Sequence, residues 1–382
     1  MKIEVHKTCA DFNSYKAARV KSLFNAESGC NFDLVADLPV DDKDWSLGLI
    51  VGPSGTGKTS MGGEFWGNEY IFDPDDWAEG EPIIDSISKD RDFNFVTGAL
   101  SGVGLGTVPA WLRPFHVLSN GEKFRANLAR VLCEEPDKVV IDEFTSVVDR
   151  QIAKFGALAF QKAWKRLAKK TGKQCVLLSC HYDIIDWVEP DWVFDVATGK
   201  YSGRSLWRRP KFELEIWKTD WRYWESFKPH HYLDSPPMIA ANCYVGVVDG
   251  ERVCHLGVGT KNKGKKVEAR ACRLVVLPEW QGAGVGMTFL NAVCQMNLEG
   301  KGKLEGRKIT TLFHTSHPGL CGALRHDKKW RQLSAALYGG NKVKSAKTIK
   351  KSRPGKKGMG IGYGGHFRAV QGFRYYGEAG LK

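Results

Sequence analysis

One short glycine-rich run limits what the first half of this chain can fold into. Residues 52–59 read Gly-Pro-Ser-Gly-Thr-Gly-Lys-Thr and follow an apolar segment, Trp45 to Val51, with the length and composition of a buried strand. This GxxxxGK[ST] pattern is typical of a strand-to-helix turn whose backbone N–H groups surround phosphate oxygens. A chance loop of the same composition is the alternative, and the strand ahead of the turn argues against it.

The same turn, which we call the P-loop, predicts roles for individual side chains. Lys58 is expected to reach the β- and γ-phosphates of ATP, and the Thr59 hydroxyl is expected to bind Mg²⁺. The predicted ATP-binding residues of the P-loop are Gly52, Ser54, Gly55, Thr56, Gly57, Lys58 and Thr59.

Two later segments repeat the pattern of an apolar strand that ends in polar residues. Lys138 to Ile141 is followed by Asp142 and Glu143. Asp142 is expected to bind Mg²⁺, often through water, and Glu143 to polarise the attacking water as a catalytic residue. The second strand ends at His181, which is predicted to lie near the γ-phosphate and to act in catalysis. For either strand alone, a buried strand with an incidental polar end is the simpler interpretation.

These segments occur in the order found in one large family of ATPases. Leu118 to Glu122, Leu-Ser-Asn-Gly-Glu, lies between them. Over about Gly48 to Val196 the chain therefore resembles the ABC ATPase superfamily, with Leu118 to Glu122 in the place of its LSGGQ signature. The resemblance implies a head-to-tail homodimer. In that dimer Ser119, Asn120 and Gly121 of one subunit bind the γ-phosphate held by the P-loop of the other.

The chain also departs from the family pattern. Ser146 to Asp149 resembles the family's D-loop, but Asn120 replaces a glycine of the signature. No glutamine occurs between Lys58 and Leu118 to serve as the Q-loop, and the segment is short for a transporter ATPase. In the family the Q-loop senses the γ-phosphate and couples the ATPase to a partner. The resemblance therefore does not extend to these two functions.

Composition favours a cytoplasmic protein. None of the 10 cysteines forms a CxxC pair, which favours a reduced cytosol over a zinc ribbon or a redox motif. No apolar run approaches the roughly 18 residues of a membrane-spanning helix, and the sequence does not start with the pattern of a signal peptide. We therefore expect no membrane partner, and a transporter subunit working with separate membrane chains is the disfavoured alternative.

The charge differs between the two halves of the chain. The 382 residues carry a net charge of +13, with −3 in residues 1–212 and +16 in residues 213–382. A chain of this length is expected to form two domains, and Arg208-Arg-Pro interrupts the pattern before a predicted strand, Phe212 to Trp217. We therefore predict an α/β protein with domains at 1–211 and 212–382.

The second half contains another glycine-rich turn. Ala271 to Leu277 is predicted to be a strand, and Gln281 to Gly286, Gln-Gly-Ala-Gly-Val-Gly, turns from it into a predicted helix, Met287 to Met296. The turn offers N–H groups and the positive end of a helix to an anion. A tight turn that allows close helix packing is an equally simple interpretation. We call residues 281–286 the 281–286 turn.

The order of elements around this turn is informative. A predicted hairpin, Cys243 to Val248 and Arg252 to Gly257, precedes it, and a strand, Lys308 to Phe313, follows the helix. Over about Phe212 to Gly377 the chain resembles the GNAT acyltransferase superfamily, which implies an α+β fold and transfer of an acyl group from acetyl-CoA or another acyl-CoA, usually to an amine. The residues that the resemblance places on acyl-CoA are Val276, Leu277, Gln281, Gly282, Ala283, Gly284, Val285 and Gly286.

The acceptor site is harder to predict. Candidates are His230-His231-Tyr232 and Ser316-His317. His317 or a neighbour is expected to take a proton from an amine, because a histidine near its unperturbed pKa suits that role at neutral pH. Solvated or helix-capping histidines are an equally simple interpretation. A metal site built from His230, His231 and His317 is a weaker alternative, because their spacing does not support it.

Basic segments in the second half favour a polyanionic acceptor. Lys261 to Lys266 and Lys342 to Lys357 are rich in lysine, and Phe367 to Tyr376 adds aromatic residues. Lysines neutralise phosphates and aromatic rings stack on bases, so we predict a nucleic acid partner, DNA ahead of RNA. A solvated basic tail is the alternative for the lysines, and a core strand is the favoured interpretation of the aromatic residues in Phe367 to Tyr376.

The two resemblances together are similar to a fusion of an ABC-type ATPase with a predicted acetyltransferase, found in archaea and phage genomes. A looser resemblance links the second half to Mom-type transferases, phage enzymes that modify adenine in DNA. It depends on His231-Tyr232, Ser316-His317-Pro318 and Phe373-Arg-Tyr375. The sequence thus favours an ATP-dependent acyltransferase that modifies DNA bases. The alternatives are a protein- or tRNA-directed N-acetyltransferase regulated by the ATPase, and a DNA-binding ATPase of the SMC or repair kind with a non-catalytic GNAT fold.

Overall fold

The computed structural model describes residues 1–12, 14–24, 31–41, 44–203, 212–231, 240–263, 266–336 and 370–378. The chain divides into two compact units. Unit 1 comprises Met1–Trp77 and Glu134–Pro210, and unit 2 comprises Ala78–Cys133 and Lys211–Lys382. The domains at 1–211 and 212–382 stay a prediction, and the structure adds that Ala78–Cys133 packs with the second half of the chain.

The described residues form fourteen strands and eleven helices. The strands are β1 Lys2–Thr8, β2 Asn31–Asp37, β3 Leu47–Val51, β4 Lys138–Ile141, β5 Gln174–Ser179, β6 Trp192–Asp195, β7 Lys200–Gly203, β8 Glu215–Thr219, β9 Asn242–Val248, β10 Glu251–Lys263, β11 Lys266–Val276, β12 Thr311–Thr315, β13 Trp330–Ala336 and β14 Val370–Tyr375. The helices are α1 Tyr15–Phe24, α2 Lys58–Trp66, α3 Ile83–Ser86, α4 Phe93–Gly102, α5 Val108–Trp111, α6 Asn120–Glu134, α7 Arg150–Thr171, α8 Ile185–Val188, α9 Trp224–Phe227, α10 Val285–Leu298 and α11 Pro318–His326. Short 3₁₀ turns cover Asn68–Tyr70, Phe115–Val117, Tyr182–Ile184, Trp221–Tyr223, Lys228–His230 and Pro278–Trp280.

Unit 1 is built on a five-stranded sheet with the order β4-β5-β3-β6-β7. The first four strands in that order are parallel, and β7 is antiparallel to β6. Every residue of β3 is buried, as expected for the uninterrupted apolar run of a central parallel strand. The carboxyl ends of β3, β4 and β5 therefore meet at one edge of the sheet.

The hairpin of β1 and β2 completes the core of unit 1. Its inward residues Ile3 and Val5 belong to one buried cluster with Met61 and Phe65 of α2. Burial of side chains of this size stabilises a fold by about 1.5–3 kcal/mol each. The helix that follows the P-loop is thus held between the parallel sheet and the hairpin.

The first segment of unit 2, Ala78–Cys133, is helical. Asp92 caps α4 by accepting a hydrogen bond from the backbone N–H of Phe95 at 2.9 Å. Between α4 and α5 the chain forms a short loop, residues 103–107, which we call the 103–107 loop. The Trp111 indole N–H donates to the carbonyl of Leu105 at 2.8 Å, which fixes the shape of this loop.

The rest of unit 2 is a seven-stranded sheet with the order β13-β14-β12-β11-β10-β9-β8. All neighbouring strands are antiparallel except β11 and β12, which are parallel and pair only from Ala269–Ala271 to Thr311–Phe313. Beyond these residues β11 continues to Val276 beside β10 alone, while β12 continues beside β14. The two parallel strands therefore separate towards their carboxyl ends.

Several predicted element bounds differ from the structure. The first strand of the sheet is Glu215–Thr219 rather than Phe212 to Trp217, and the helix after the 281–286 turn begins at Val285, two residues earlier than predicted. Gly284 ends the turn with a left-handed φ of 87°, so the helix starts directly after it. No helix among the described ranges is long and apolar enough to cross a bilayer.

Candidate functional site

Three parallel strands place the predicted ATP-site residues at one edge of the unit 1 sheet. Val51 of β3 pairs with Ser179 of β5, and Ile141 of β4 pairs with Leu177. The P-loop, Asp142 and His181 each follow one of these strands. The Gly52 N–H also donates to the Ser179 carbonyl at 3.3 Å. The topology therefore brings together residues that are far apart in the sequence.

The P-loop has the backbone of a phosphate-binding turn. Gly55 and Gly57 have φ of 79° and 88°, values that favour glycine, and Gly57 precedes the first residue of α2. The Lys58 ammonium donates to the carbonyls of Gly52 at 2.9 Å and Pro53 at 2.8 Å. Lys58 thus lies over the mouth of the turn, where a phosphate would replace the carbonyl oxygens as its acceptor. Ser54, Gly55 and Thr59 are exposed, and Thr56 and Lys58 are half-buried.

The turn after β4 presents Glu143 to solvent. Glu143 and Thr145 have φ of 47° and 73°, a left-handed conformation that costs a non-glycine residue about 1–2 kcal/mol. Two hydrogen bonds hold this turn to β5: the Phe144 N–H donates to the Leu178 carbonyl at 2.8 Å, and the Ser179 hydroxyl donates to the Phe144 carbonyl at 2.8 Å. Strain of this kind clusters at functional sites, which agrees with the predicted role of Glu143.

His181 is connected to the same turn. Its backbone N–H donates to the Ser179 hydroxyl at 3.1 Å, and its Nδ1 lies 3.1 Å from the Thr145 hydroxyl. Burial and the nearby Arg150 guanidinium lower the pKa of His181 below its ordinary value, while Asp183 acts in the opposite direction. His181 is therefore neutral at neutral pH.

The structure adds a carboxylate that the sequence pattern did not identify. Ile71 forms a parallel bridge with Val140, and the Phe72 N–H donates to the Val140 carbonyl at 2.8 Å. Asp73 follows Ile71 by two residues, as Asp142 follows Val140, so both carboxylates leave the same edge of the sheet at the same level. Carboxylate oxygens are preferred ligands of Mg²⁺. The signal in the sequence is the Phe-Asp-Pro-Asp-Asp run at residues 72–76.

The predicted signature segment lies in unit 2, at the start of α6. Ser119 and Glu122 form a reciprocal cap: the Ser119 N–H and hydroxyl both donate to the Glu122 carboxylate at 2.9 Å, and the Glu122 N–H donates to the Ser119 hydroxyl at 3.4 Å. Such a capping box fixes a helix N-terminus. Asn120 and Gly121 are the first two residues of the helix. The structure thus shows a formed helix start, with Ser119 and Asn120 exposed.

The 281–286 turn joins β11 to α10. Gly282 and Gly284 have φ of 90° and 87°, and a side chain at Gly284 would meet no atom within 4 Å. The strand end at Val276 and Leu277 leads into the turn through the 3₁₀ turn Pro278–Trp280. Ala283, Val285 and Gly286 complete the predicted acyl-CoA set, and all three lie in the turn or the first helical turn.

Gln281 uses its side chain for a contact inside unit 2. Its amide oxygen accepts from the Gly106 N–H at 2.9 Å, and its amide nitrogen donates to the Val276 carbonyl at 3.1 Å. The 103–107 loop therefore lies directly on the 281–286 turn. The backbone N–H of Gln281 donates to the Pro278 carbonyl at 3.2 Å, so it is already paired.

Both ring nitrogens of His317 are engaged. Nδ1 accepts from the Leu320 N–H at 3.2 Å and caps α11, and Nε2 lies 3.0 Å from the Gly106 carbonyl, to which it donates. Burial lowers the pKa of His317, so the ring is neutral with its proton on Nε2. The catalytic role of His317 stays a prediction. The geometry observed is that of the capping alternative, because neither nitrogen has a free lone pair.

The other acceptor candidates lie in two places. His230 ends a 3₁₀ turn and His231 follows it, with the His231 ring 5.6 Å from that of Trp224. Ser316 follows β12, and its hydroxyl is buried and makes no hydrogen bond to any described residue. Tyr232 lies outside the described residues, as do Arg208-Arg-Pro and the lysine-rich segment Lys342 to Lys357.

The metal site considered from His230, His231 and His317 is not formed. Among the residues with a described position, no group of three or more His, Cys, Asp or Glu side chains is placed to hold a metal ion. His317 uses both nitrogens in hydrogen bonds within unit 2, which leaves no lone pair for a metal. That alternative is therefore wrong.

A histidine that the sequence analysis did not consider lies in the core of unit 2. His255 of β10 is fully buried, and its ring lies 5.2–5.6 Å from the rings of Trp221, Trp224 and Phe227. Its Nδ1 lies 3.4 Å from the Arg273 carbonyl. Burial lowers the pKa of His255 to about 4. A single histidine in an apolar strand has no local pattern that distinguishes it from an ordinary core residue.

Beside this site β11 contains a bulge. Cys272 pairs with Gly257 and Val275 pairs with His255, so two residues of β11 lie opposite one residue of β10. Arg273, in the bulge, has a left-handed φ of 57°. A bulge turns backbone groups out of the ladder and is common next to functional sites. It lies just beyond the point where β11 and β12 separate.

Comparisons with known proteins cover part of the chain. No protein-family model matches the chain. Over 134 residues the chain is 25% identical to the energy-coupling factor transporter ATP-binding protein EcfA1 of Leuconostoc mesenteroides subsp. mesenteroides. This match covers 32% of the present chain and 47% of that protein, so the chain spans about half of the relative's length. The match and the geometry above support an ABC ATPase cassette.

Solved structures give more distant likenesses. A dimeric ATP-binding cassette bound to ADP and Pi aligns over 54% of this chain and 99% of its own, with 13% identity and a TM-score of 0.38. cbiO1 from Clostridium perfringens, part of the ABC transporter complex cbiONQ, aligns over 53% and 89%, with 19% identity and a TM-score of 0.32. Likenesses at this level are too distant to define the fold by themselves.

The segment in the place of the ABC signature differs from that signature in its charge at one position. Glu122 stands at the last position of the signature, and its carboxylate lies at the N-terminus of α6. A carboxylate there is stabilised by the helix dipole, and it accepts from the N–H and hydroxyl of Ser119, the groups predicted to face the γ-phosphate. ATP binding by Ser119 and Gly121 would therefore require the Glu122 side chain to move away from the cap.

Proposed function

We propose that the chain is an ATP-hydrolysing ABC homodimer joined to a GNAT-like acyltransferase that modifies nucleic acid, with DNA bases ahead of RNA. The observation that carries the acyltransferase part is the separation of β11 and β12 beside the 281–286 turn. An extended ligand arm fits between parallel strands that part. Its anionic end then reaches the N–H groups at the start of a helix.

The ATP site is proposed for the sheet edge of unit 1. Lys58 and the P-loop N–H groups bind the phosphates, and Thr59 and Asp142 bind Mg²⁺. Glu143 orients and polarises the attacking water, and neutral His181 donates a hydrogen bond towards the γ-phosphate. In the homodimer the helix start at Ser119 of the other subunit completes the site. The exposure of Glu143 and Thr59 supports this proposal, since both must reach a ligand.

The acyl-CoA site is proposed for the 281–286 turn. The backbone N–H groups from Gly282 to Gly286 bind the pyrophosphate, assisted by the dipole of the 14-residue helix α10. Backbone groups of β11 near Val276 and Leu277 pair with the pantetheine arm. The order β8-β9-β10-β11-β12-β14-β13 and the bulge at Arg273 agree with the GNAT resemblance. Catalysis would come mainly from orientation of donor and acceptor.

The acceptor is proposed to be a polyanion because cations cross one face of the same sheet. Arg270 of β11 and Lys261 of β10 are exposed and lie close enough to His314 of β12 that they lower its pKa, after burial, which is the larger cause. The three residues lie on consecutive strands, and Arg270 and Lys261 supply the charge, because the lowered pKa keeps His314 neutral at neutral pH. Phosphate groups are the anions that such a row binds without requiring one fixed geometry. The net charge of +16 in residues 213–382 agrees with this proposal.

The test uses the full-length chain with ATP, Mg²⁺ and radiolabelled acetyl-CoA. Duplex DNA, single-stranded DNA, RNA and a lysine-rich protein are offered as acceptors in parallel. Label in DNA that depends on the intact 281–286 turn is the expected result. Label in protein or tRNA alone would favour the second acceptor class. ATP hydrolysis without acetyl-CoA binding would favour the third alternative, a DNA-binding ATPase with a non-catalytic GNAT fold.

A matched pair of glycine variants controls this test. Gly284→Asp places a carboxylate where the pyrophosphate is proposed to bind, and we expect loss of acetyl-CoA binding. Gly250→Asp is the control, because Gly250 has φ of 82° and, like Gly284, no atom within 4 Å of an added Cβ. Both substitutions impose the same backbone strain, so a difference between them reports the charge at the turn.

A further inference from the structure

The 103–107 loop, in the helical part of unit 2, is hydrogen-bonded to the 281–286 turn. The Gly106 N–H donates to the Gln281 amide oxygen at 2.9 Å, and His317 Nε2 donates to the Gly106 carbonyl at 3.0 Å. Both backbone groups of Gly106 are thus bound by side chains from the sheet part. The edge of the Trp111 ring also faces the His317 ring, with centroids 5.6 Å apart.

The fit between the loop and the turn is tight. A Cβ at Gly104, which has φ of 85°, would lie 2.6 Å from the Gln281 carbonyl oxygen, and one at Gly319 would lie 2.3 Å from Ser101 Cβ. Distances under about 3 Å are not tolerated between a carbon and backbone atoms in a packed interior. α4 and the 103–107 loop therefore contact α11 and the turn through glycines at close range. Neither part can shift far without the other.

The same loop is bound at its other end to α6. The Arg125 guanidinium donates to the Gly104 carbonyl at 2.6 Å, and Arg125 is only 3% exposed. α6 starts at the Ser119–Glu122 cap, and Arg125 follows Glu122 by less than one helical turn. A hydrogen bond from a charged donor is stronger than one between neutral groups. A continuous path of contacts therefore runs from the signature segment through Arg125 and the 103–107 loop to Gln281.

We infer that this path couples nucleotide binding to the 281–286 turn, so that the acyl-CoA affinity of the turn depends on whether ATP engages Ser119. The inference rests on the proposed function. ATP binding by α6 displaces the Glu122 carboxylate from the Ser119 cap and moves the helix start. Arg125, on the same helix, transmits this movement to the carbonyl of Gly104. The turn then changes its shape or its mobility, because Gln281 holds the other end of the loop.

Coupling of this kind is reciprocal. If ATP changes the affinity for acyl-CoA by a given factor, acyl-CoA changes the affinity for ATP by the same factor, typically about 5–150-fold. In the proposed homodimer each chain thereby senses the ATP held by the P-loop of the other subunit. The 103–107 loop performs that task within one unit.

The experiment combines calorimetry with hydrogen exchange on the full-length chain. Affinity for CoA is measured with and without a non-hydrolysable ATP analogue and Mg²⁺, and amide exchange of residues 281–290 is followed under the same conditions. Gly106→Val is the test variant, since an added Cβ at Gly106 would lie 2.9 Å from Gln281 Oε1. Gly106→Ala is a milder second variant if the first does not fold. Gly98→Ala, in α4 with no atom within 4 Å of an added Cβ, is the control.

The expected result is a change in CoA affinity of about five-fold or more with the analogue, together with altered exchange at residues 281–290. Both effects should be lost in the Gly106 variants and kept in Gly98→Ala. Unchanged exchange at the turn on nucleotide binding, or effects that persist in Gly106→Val, would overturn the coupling. Altered exchange without CoA binding would keep the coupling and refute the proposed acyl-CoA site instead.

Discussion

The hydroxyl of Thr145 lies 3.1 Å from Nδ1 of His181, although the two residues belong to turns after different strands. Thr145 is fully buried and has a left-handed backbone, so it holds its hydroxyl in one place. The contact fixes which ring nitrogen of His181 faces the sheet. Nε2 is left to face the position proposed for the γ-phosphate. The pair thus links the water-polarising turn to the residue expected to contact ATP.

The pH dependence of ATP hydrolysis follows from this contact. The pKa of His181 is below its ordinary value of 6.5, so the neutral ring persists at neutral pH and becomes protonated only on further acidification. If neutral His181 is the active form, kcat should decrease on the acid side of its pH profile, and this decrease should have its midpoint below pH 6.5. Arg150→Gln should move that midpoint to higher pH, because Arg150 lowers the pKa. Asp183→Asn should move it to lower pH, and shifts in the same direction would contradict the assignment.

Glu143 is predicted to act on water and not to bind ATP. Glu143→Gln should reduce phosphate release by about 10²–10⁴-fold, the usual contribution of a positioned base. ATP should still bind, and the variant should accumulate as a dimer in gel filtration with ATP. Glu64→Gln, which removes an exposed carboxylate from α2, is the control. A Glu143→Gln variant that stays monomeric with ATP would count against the dimer.

Asp73 is expected to take part in metal binding, because its strand is in parallel register with that of Asp142. Asp73→Asn should raise the Mg²⁺ concentration needed for half-maximal ATP hydrolysis by about 10-fold, within the usual range for groups that support a metal. The measurement is a Mg²⁺ titration of phosphate release at saturating ATP. Asp75→Asn, two residues away, should leave the titration unchanged. If the unmodified chain, Asp73→Asn and Asp75→Asn all need the same Mg²⁺ concentration for half-maximal hydrolysis, Asp73 does not take part in metal binding.

Burial of His255 makes the stability of unit 2 dependent on pH. Its pKa is about 4 in the folded chain against 6.5 for the unfolded chain, so the unfolded chain binds one more proton between these values. Stability from the neutral ring is fully present above pH 6.5. It declines on acidification by about 3 kcal/mol in total and levels off below pH 4. Urea unfolding at several pH values measures this loss. His255→Gln should abolish it, and the exposed His326→Gln should not.

The sequence was sufficient to predict strands whose ends bring the proposed ATP-site residues to one edge of a sheet. The P-loop, Asp142 and His181 each stand at the end of an uninterrupted apolar run, and parallel strands bring such ends together. Asp73 was missed because its strand reduces to one bridge at Ile71, too short to leave a pattern. The 281–286 turn was found for the same reason as the P-loop, since Gly282 and Gly284 are required by their positive φ.

The packing of Ala78–Cys133 with the second half was not predictable from local patterns. The contact that decides it joins Gly106 to Gln281, which are 175 residues apart. Nothing in the composition of the 103–107 loop, Val-Gly-Leu-Gly-Thr, indicates a partner. Gln281 was predicted to bind acyl-CoA and His317 to act as a catalytic base. In the structure the side chains of both residues contact this loop. Contacts made through backbone groups of glycines leave little trace in a single sequence.

The most direct test of nucleic acid modification is mass spectrometry of nucleosides. DNA and RNA are digested from cells that express the intact chain, Gly284→Asp, or the control Gly250→Asp. We predict a new acyl-modified nucleoside in DNA with the intact chain and with Gly250→Asp, absent with Gly284→Asp, and its mass identifies the group transferred. Identical nucleoside profiles in all three, in both DNA and RNA, would contradict the proposed function.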